Sequence, residues 1–302
     1  MSNVSIKTTI GSSVHEPKDD ELLFKQLTRR PSMAWPTMLL LLAAIPRYAA
    51  TTPYYHLGGF GLAWAIMINA FASYLAFTVG HDASHNAFST NKKLNDWAGR
   101  ISTMLLSPIP FFRMFRYIHM QHHRFANEEG KDPDLYCGKG SYWTLPLRWA
   151  TLDIHYFTLY LRPGVFLKRS ASERRELAVA TLFAIATIAF MISMGWGYEY
   201  LVLFFIPTRL AVVVLACTFD FLPHFPHETR AHDDPYQATS NRKGFEWLLT
   251  PLLLSQNYHL VHHLYPTVPF YRYLRVWRAK EAFHQSRNPA EVSAFGLRAD
   301  LV

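Results

Sequence analysis

The sequence predicts an all-α integral membrane protein: about four transmembrane helices carrying a helical cap, rich in histidine, on the cytoplasmic side. Three observations predict it. Gly58 to Gly80 and Leu177 to Gly197 contain no charged residue over 23 and 21 positions, and about 18 to 20 apolar residues span a bilayer core. Of the 30 lysines and arginines, 28 lie before residue 36, in 81–176 or in 224–302. Nine of the 15 histidines fall into four groups within those same regions or at their edges.

Composition narrows the class further. Half of the residues are hydrophobic and 17% are charged, which excludes a disordered chain. The mean hydropathy of +0.01 is neutral only because apolar runs and charged segments average out. Two cysteines, Cys137 and Cys217, exclude a disulfide scaffold and lack metal-ligand spacing. The net charge of +8 fits attraction to anionic lipid. No nucleic-acid motif accompanies it, so no nucleic-acid partner is expected.

The elements follow in order. Residues 1–33 are polar and mixed in charge, with no signal-peptide core; they read as a flexible cytoplasmic tail. The membrane domain covers 34–275, and 276–302 form a second cytoplasmic tail. Pro36 to Ile45 opens the first span, which crosses only by tilting or by recruiting Tyr48 to Tyr54. Gly58–Gly80 and Leu177–Gly197 are the next two, and Leu201–Phe219, broken by Arg209, is the fourth. Ile101–Phe112 and Phe245–Leu254 are apolar but too short to cross, so they read as re-entrant or interfacial. Leu145–Leu161 is amphipathic and suits the interface. The positive-inside rule places both termini and 81–176 in the cytoplasm.

The histidines are patterned. His81 and His85 form HxxxH; His119, His122 and His123 form HxxHH; His224 stands alone; His259, His262 and His263 form a second HxxHH. Chance yields two HxxHH boxes in fewer than about 0.1% of such chains. On a helix, positions i, i+3 and i+4 share a face, so each box aims two or three imidazoles one way. The order repeats: Asp220 and His224 stand i, i+4 like His81 and His85, and 34 or 35 residues separate the first motif from its HxxHH box in each half. This pseudo-repeat brings both halves to one place. His15, His56, His232 and His284 read as surface residues, and His227 as a spare ligand at most.

Eight or nine imidazoles exceed what one tetrahedral zinc uses, so two metals are the natural arithmetic. Imidazole suits iron, copper, zinc and nickel, and ligand type alone does not choose. Imidazole N–H groups need partners; Asp82, Asp132, Asp134, Asp220 and Asn257, with Asn86 and Asn127, stand near the boxes. Arg209 inside a span is a functional suspect. It suits a substrate carboxylate, a pair with Glu199, or snorkelling to the far surface. Trp64, Phe71, Tyr74 and Phe77 share one helix face and read as packing rather than as a tunnel.

At HDASHN (81–86), HMQHH (119–123), DPD (132–134), DFLPH (220–224) and QNYHLVHHLYPTVPFYRY (256–273) the chain resembles the membrane fatty acid desaturase superfamily. The resemblance covers about 34–275. The strings are most similar to cyanobacterial-type β-carotene ring hydroxylases, and also to bacterial acyl desaturases and terminal-alkene-forming fatty acid decarboxylases. The resemblance implies a bacterial inner-membrane enzyme with two iron ions and O2 as co-substrate. It implies His81, His85, His119, His122, His123, His224, His259, His262 and His263 as ligands. Some desaturases carry asparagine where this chain has Asp220, which leaves that residue's role open.

The implied reaction is oxidation of C–H bonds in a long lipophilic substrate held in the bilayer. Acyl desaturation or hydroxylation stands first; carotenoid ring hydroxylation and decarboxylation to a terminal alkene are alternatives. A metal-binding membrane protein without catalysis is the alternative of another class. The two cysteines cannot supply an iron–sulfur cluster, and no flavin fingerprint follows a strand. Electrons are therefore expected from a separate ferredoxin or rubredoxin with its reductase, drawn by the basic face.

Overall fold

The computed structural model describes residues 18–299. It is helical apart from one short sheet among those residues. Lys18–Thr28 form α1. Helix α2 runs Trp35–His56, with Pro36 in its first turn and Pro46 and Pro53 inside. Proline at the helix start is preorganised, and interior prolines are tolerated in membrane helices. The apolar Pro36–Ile45 stretch does extend through Tyr48–Tyr54 in one helix of 22 residues. Helix α3 covers Leu62–Ser84, α4 Lys92–Met104 and α5 Phe112–Phe125.

Helix α6 is Leu152–Tyr160 and α7 is Ala171–Ser193. Helix α8, Gly197–His224, is continuous over 28 residues, with π-helical stretches at Leu201–Phe205 and Ala216–Phe221. Then come β1, Ser240–Lys243; α9, Glu246–Leu252; α10, His259–Leu264; α11, Tyr273–Ala279; and β2, Ala290–Ser293. Among the described residues three helices, α3, α7 and α8, are long and apolar enough to cross a bilayer.

Helix α3 is the axis of the bundle. Helices α2, α4, α5 and α8 pack on it, and its C-terminal half is buried on every side, from Ala72 to Ser84 with only Phe77 partly open. Its few polar groups tie down neighbours. Asn69 Nδ2 donates to the Leu203 carbonyl at 2.7 Å in the first π stretch of α8. Ser73 Oγ donates to the Leu105 carbonyl at 2.7 Å, and the Tyr74 hydroxyl to that of Leu252 at 3.1 Å. Leu105 and Leu252 belong to the two short apolar segments, so both segments reach Ser73 and Tyr74. That level is about 18 Å above His85, at 1.5 Å per residue. Both segments therefore pack against the middle of α3. Gly99 permits the α4–α5 hairpin to close, since a Cβ there would collide with the Phe112 ring.

Helix α7 meets the bundle through its buried Ala180 and Ala184 and through Glu176, which pairs with Arg100 and Arg113. Small residues one turn apart allow close helix contact in lipid.

The expected tails differ in part. Residues 1–17 and 300–302 lie outside the described residues. Helix α1, expected within a flexible tail, docks on α11: Glu21 meets Lys280 at 2.6 Å, and Arg272 donates to the Leu27 and Arg29 carbonyls. Its apolar positions Phe24 and Leu27, the latter buried, drive this docking. The C-terminal stretch also packs, because Val276 and Trp277 are buried. Strand β2 pairs in parallel with β1, and Asn241 bridges to Tyr258 beside the second HxxHH box.

Candidate metal centre

Four chain segments deliver the histidines to one buried place. His81 and His85 lie at the C-terminal end of α3, His119, His122 and His123 on α5, His224 at the end of α8, and the last three on α10. They resolve into two clusters. His81, His85, His119 and His262 form one, and His122, His224, His259 and His263 the other; within each, candidate ligand atoms lie within 4.8 Å of one another. His123 stands between them. Its Nε2 is 2.8 Å from that of His262, and its ring stacks at 4.2 Å on His263. The halves interleave: His262 joins three residues of the first half, and His122 joins three of the second.

These side chains suit a cation. Nε2 atoms face one another at 2.8 Å between His85 and His119, 3.2 Å between His224 and His259, and 3.1 Å between His259 and His263. Both ring nitrogens of His81 are buried without a hydrogen-bond partner. Burial first, then neighbouring imidazoles, holds His85, His119, His123, His259, His262 and His263 well below the usual histidine range. Neutral imidazole is the form that binds metal.

Several rings are fixed from behind through Nδ1. His122 Nδ1 lies 2.9 Å from Asp132 and 3.2 Å from Asp134. Burial opposes charge on His122, but the two carboxylates prevail and push its pKa up to about 10. Asp132 also accepts from the Asn127 and Asp134 backbone N–H groups. His259 Nδ1 is 2.6 Å from Gln256 Oε1, and His262 Nδ1 is 3.0 Å from the Tyr273 hydroxyl. Such contacts hold the ring and leave Nε2 for a ligand. Gln256 and Tyr273 were not singled out from sequence. Gln256 stands three residues before His259, and Tyr273 ends the 256–273 motif.

Other expected partners sit elsewhere. Asp82 accepts from Thr37 Oγ1 at 2.7 Å and faces the Phe270 N–H, tying α2 to the segment after α10. Asn257 donates to Thr250. Asp220 lies 4.0 Å from Cys137 Sγ. Its place in a π stretch, unlike the α-helical setting of His81, breaks the repeat's i, i+4 equivalence. Arg209 pairs in both arms with Asp153, at 2.7 and 2.6 Å, rather than with Glu199. His227 is buried near Gly138 and Phe221, outside both clusters. His284, expected at the surface, is fully buried, stacked on Trp277 and 3.1 Å from the Tyr236 hydroxyl.

A narrow cavity of about 50 Å³ ends on the clusters. Phe77, Leu106, Phe115, Leu215 and Phe219 give it apolar walls, and His81, His119, His122 and His259 line it too, with Asp153, Tyr156 and Asp220. Phe77 therefore faces the cavity, whereas Trp64 and Phe71 are exposed.

Fold and site together define a membrane-embedded protein with paired histidine clusters compatible with a metal centre. The chain belongs to the fatty acid desaturase family, whose model matches residues 58–292. It is 26% identical to an sn-1 acyl-lipid omega-3 desaturase (ferredoxin) of Nostoc sp. (strain 36), over 70% of this chain and 67% of that one. It is 28% identical to a beta-carotene ketolase of Paracoccus sp. (strain N81106 / MBIC 01143), over 65% and 71%. A dihydrorhizobitoxine desaturase of Bradyrhizobium elkanii is 26% identical, over 64% and 60%. The chain thus spans about two thirds of the length of these relatives.

Proposed function

We propose that the protein is an O2-dependent di-iron enzyme that oxidises C–H bonds of a long lipophilic substrate, first of all a fatty acyl chain. The carrying observation is the pair of buried histidine clusters flanking a narrow apolar cavity. His81, His85, His119 and His262 would hold one iron, and His122, His224, His259 and His263 the other, with His123 between. Iron here supplies the oxidising power that no side chain has. The chain's residues do the rest. Asp132, Asp134, Gln256 and Tyr273 orient the rings. Phe77, Phe115 and Phe219 exclude water and admit a thin chain edge-on, and this positioning selects the carbon that reacts. The Arg209–Asp153 pair braces α6 against α8 at the cavity wall, which argues against a substrate carboxylate at Arg209.

Electrons would come from a separate carrier, in line with the ferredoxin named for the Nostoc and Synechocystis relatives. The basic cytoplasmic face suits an acidic donor, and in this reading the clusters lie at the inner face of the bacterial inner membrane. Carotenoid ring oxidation is the second reading, favoured by the similarity to the Paracoccus ketolase. The test is metal analysis of the purified protein, plus lipid mass spectrometry of cells expressing it with a ferredoxin system. Two irons per chain and a lipid mass shift are expected. Loss of two hydrogens, gain of oxygen or loss of carbon dioxide would name the reaction. A protein without iron, or lipids unchanged with iron bound, would end the proposal.

A further inference from the structure

A second cavity, of about 400 Å³, lies beyond the tip of the α4–α5 hairpin. The hairpin divides it from the first: Leu106 and Phe111 wall the cavity at the histidines, and Ser107, Pro108 and Pro110 wall the larger one. Helix α8 passes both, with Leu215 and Phe219 at one and Leu203 and Phe204 at the other. From Phe204 to Phe219 is about 22 Å of helix. The walls are mostly apolar, with Tyr48, Thr52, Ser107 and Thr187 among them, up to the end remote from the histidines. There Glu199 and Tyr200 line it, and Glu199 Oε2 and the Tyr200 hydroxyl are buried without a hydrogen-bond partner. Glu199 also borders an open groove beside His56 and Tyr198, so this end lies at the membrane surface opposite the clusters.

Unpartnered buried polar groups cost free energy unless something satisfies them. A mostly apolar chamber ending in a carboxyl and a phenol suits a lipid tail that terminates in a neutral hydrogen-bond donor. It opposes a second carboxylate, because two carboxylates in one desolvated site repel.

We propose that this larger cavity is a binding site of its own for a long-chain lipid alcohol, whose hydroxyl donates to Glu199 and accepts from Tyr200.

The test reads binding rather than turnover, so it decides even if the protein proves to lack iron. Purified protein is photolabelled with diazirine-bearing 1-hexadecanol or with the matching hexadecanoic acid, and the labelled peptides are mapped. The expected result is labelling within residues 104–110 and 199–204, with capture of the alcohol about ten-fold above the acid. Glu199→Leu should lower alcohol capture about ten-fold. Glu199→Gln, which keeps an acceptor, should retain it and raise acid capture, and Tyr200→Phe should lower alcohol capture without disturbing the fold. Equal capture of acid and alcohol, label outside these segments, or indifference to all three substitutions overturns the proposal. So does displacement of both probes alike by phosphatidylcholine vesicles, which would make the cavity a seat for bilayer lipid.

Discussion

Asp132→Asn is the most telling substitution at the clusters. One carboxylate serves three donors: His122 Nδ1 at 2.9 Å and the Asp134 N–H at 2.9 Å on Oδ1, and the Asn127 N–H at 2.7 Å on Oδ2. Asparagine can keep its oxygen toward His122 and Asp134. Its amide nitrogen then faces the Asn127 N–H, donor against donor. An unmet buried donor costs about 1–3 kcal/mol. His122 also loses a charged partner, and such losses lower metal affinity about 10–100-fold. The assay is iron retained per chain against a graded chelator, with thermal unfolding recorded in parallel. The expected outcome is loss of one iron at a chelator concentration that leaves the wild type loaded, while the other stays. Retention of both irons at wild-type chelator concentrations would refute the claim that Asp132 holds His122 for a metal.

Further outcomes follow from the same geometry. His122→Ala and His262→Ala should each abolish turnover while the protein still inserts; near-normal oxidation by either variant removes that residue from the ligand set. Tyr273→Phe deletes the contact to His262 Nδ1, and chelator titration should show about 10-fold weaker retention of the other iron. Asp153→Ala leaves a partly buried guanidinium with only the Ala150 carbonyl as acceptor and should cost about 1–3 kcal/mol; pairing it with Arg209→Met should recover much of the loss, read as unfolding in detergent. The pKa of His122 is raised by Asp134 and Asp132 to about 10 against an ordinary 6.5. In metal-stripped protein its stabilisation is full below pH 6.5 and fades as pH rises through about 10. Metal must displace that proton, so affinity should rise with pH across this window, as isothermal titration in buffers of different ionisation enthalpy would show.

Much of this was legible in the chain because it rests on local rules. Uncharged runs long enough to cross a bilayer declare α3 and α7, and an apolar run broken only by Arg209 declares α8. The i, i+3, i+4 spacing declares which imidazoles share a helix face, and all nine converge as the spacing demands. The 10- and 12-residue apolar segments, too short to cross, pack against the middle of α3. What escaped depends on partners distant in sequence. The Asp153–Arg209 pair joins residues 56 apart, and nothing in either neighbourhood announces it. His284 is polar and close to the chain end, yet Trp277 and Tyr236 enclose it. Asp220 fits the repeat on paper, but the π stretch around it alters the helical phase that the equivalence assumed. Docking of α1 needed α11 in place, so a polar sequence read alone resembled a tail.

The exchange of His122 and His262 between the clusters carries a consequence for biogenesis. Each half of the chain supplies only three members of its own four-histidine set. A nascent chain released as far as α6 already carries His81, His85, His119, His122 and His123, yet it lacks His262 of one set and His224, His259 and His263 of the other. Neither four-histidine set is complete until α10 is made, so in the proposed di-iron reading full loading would follow synthesis of the second half.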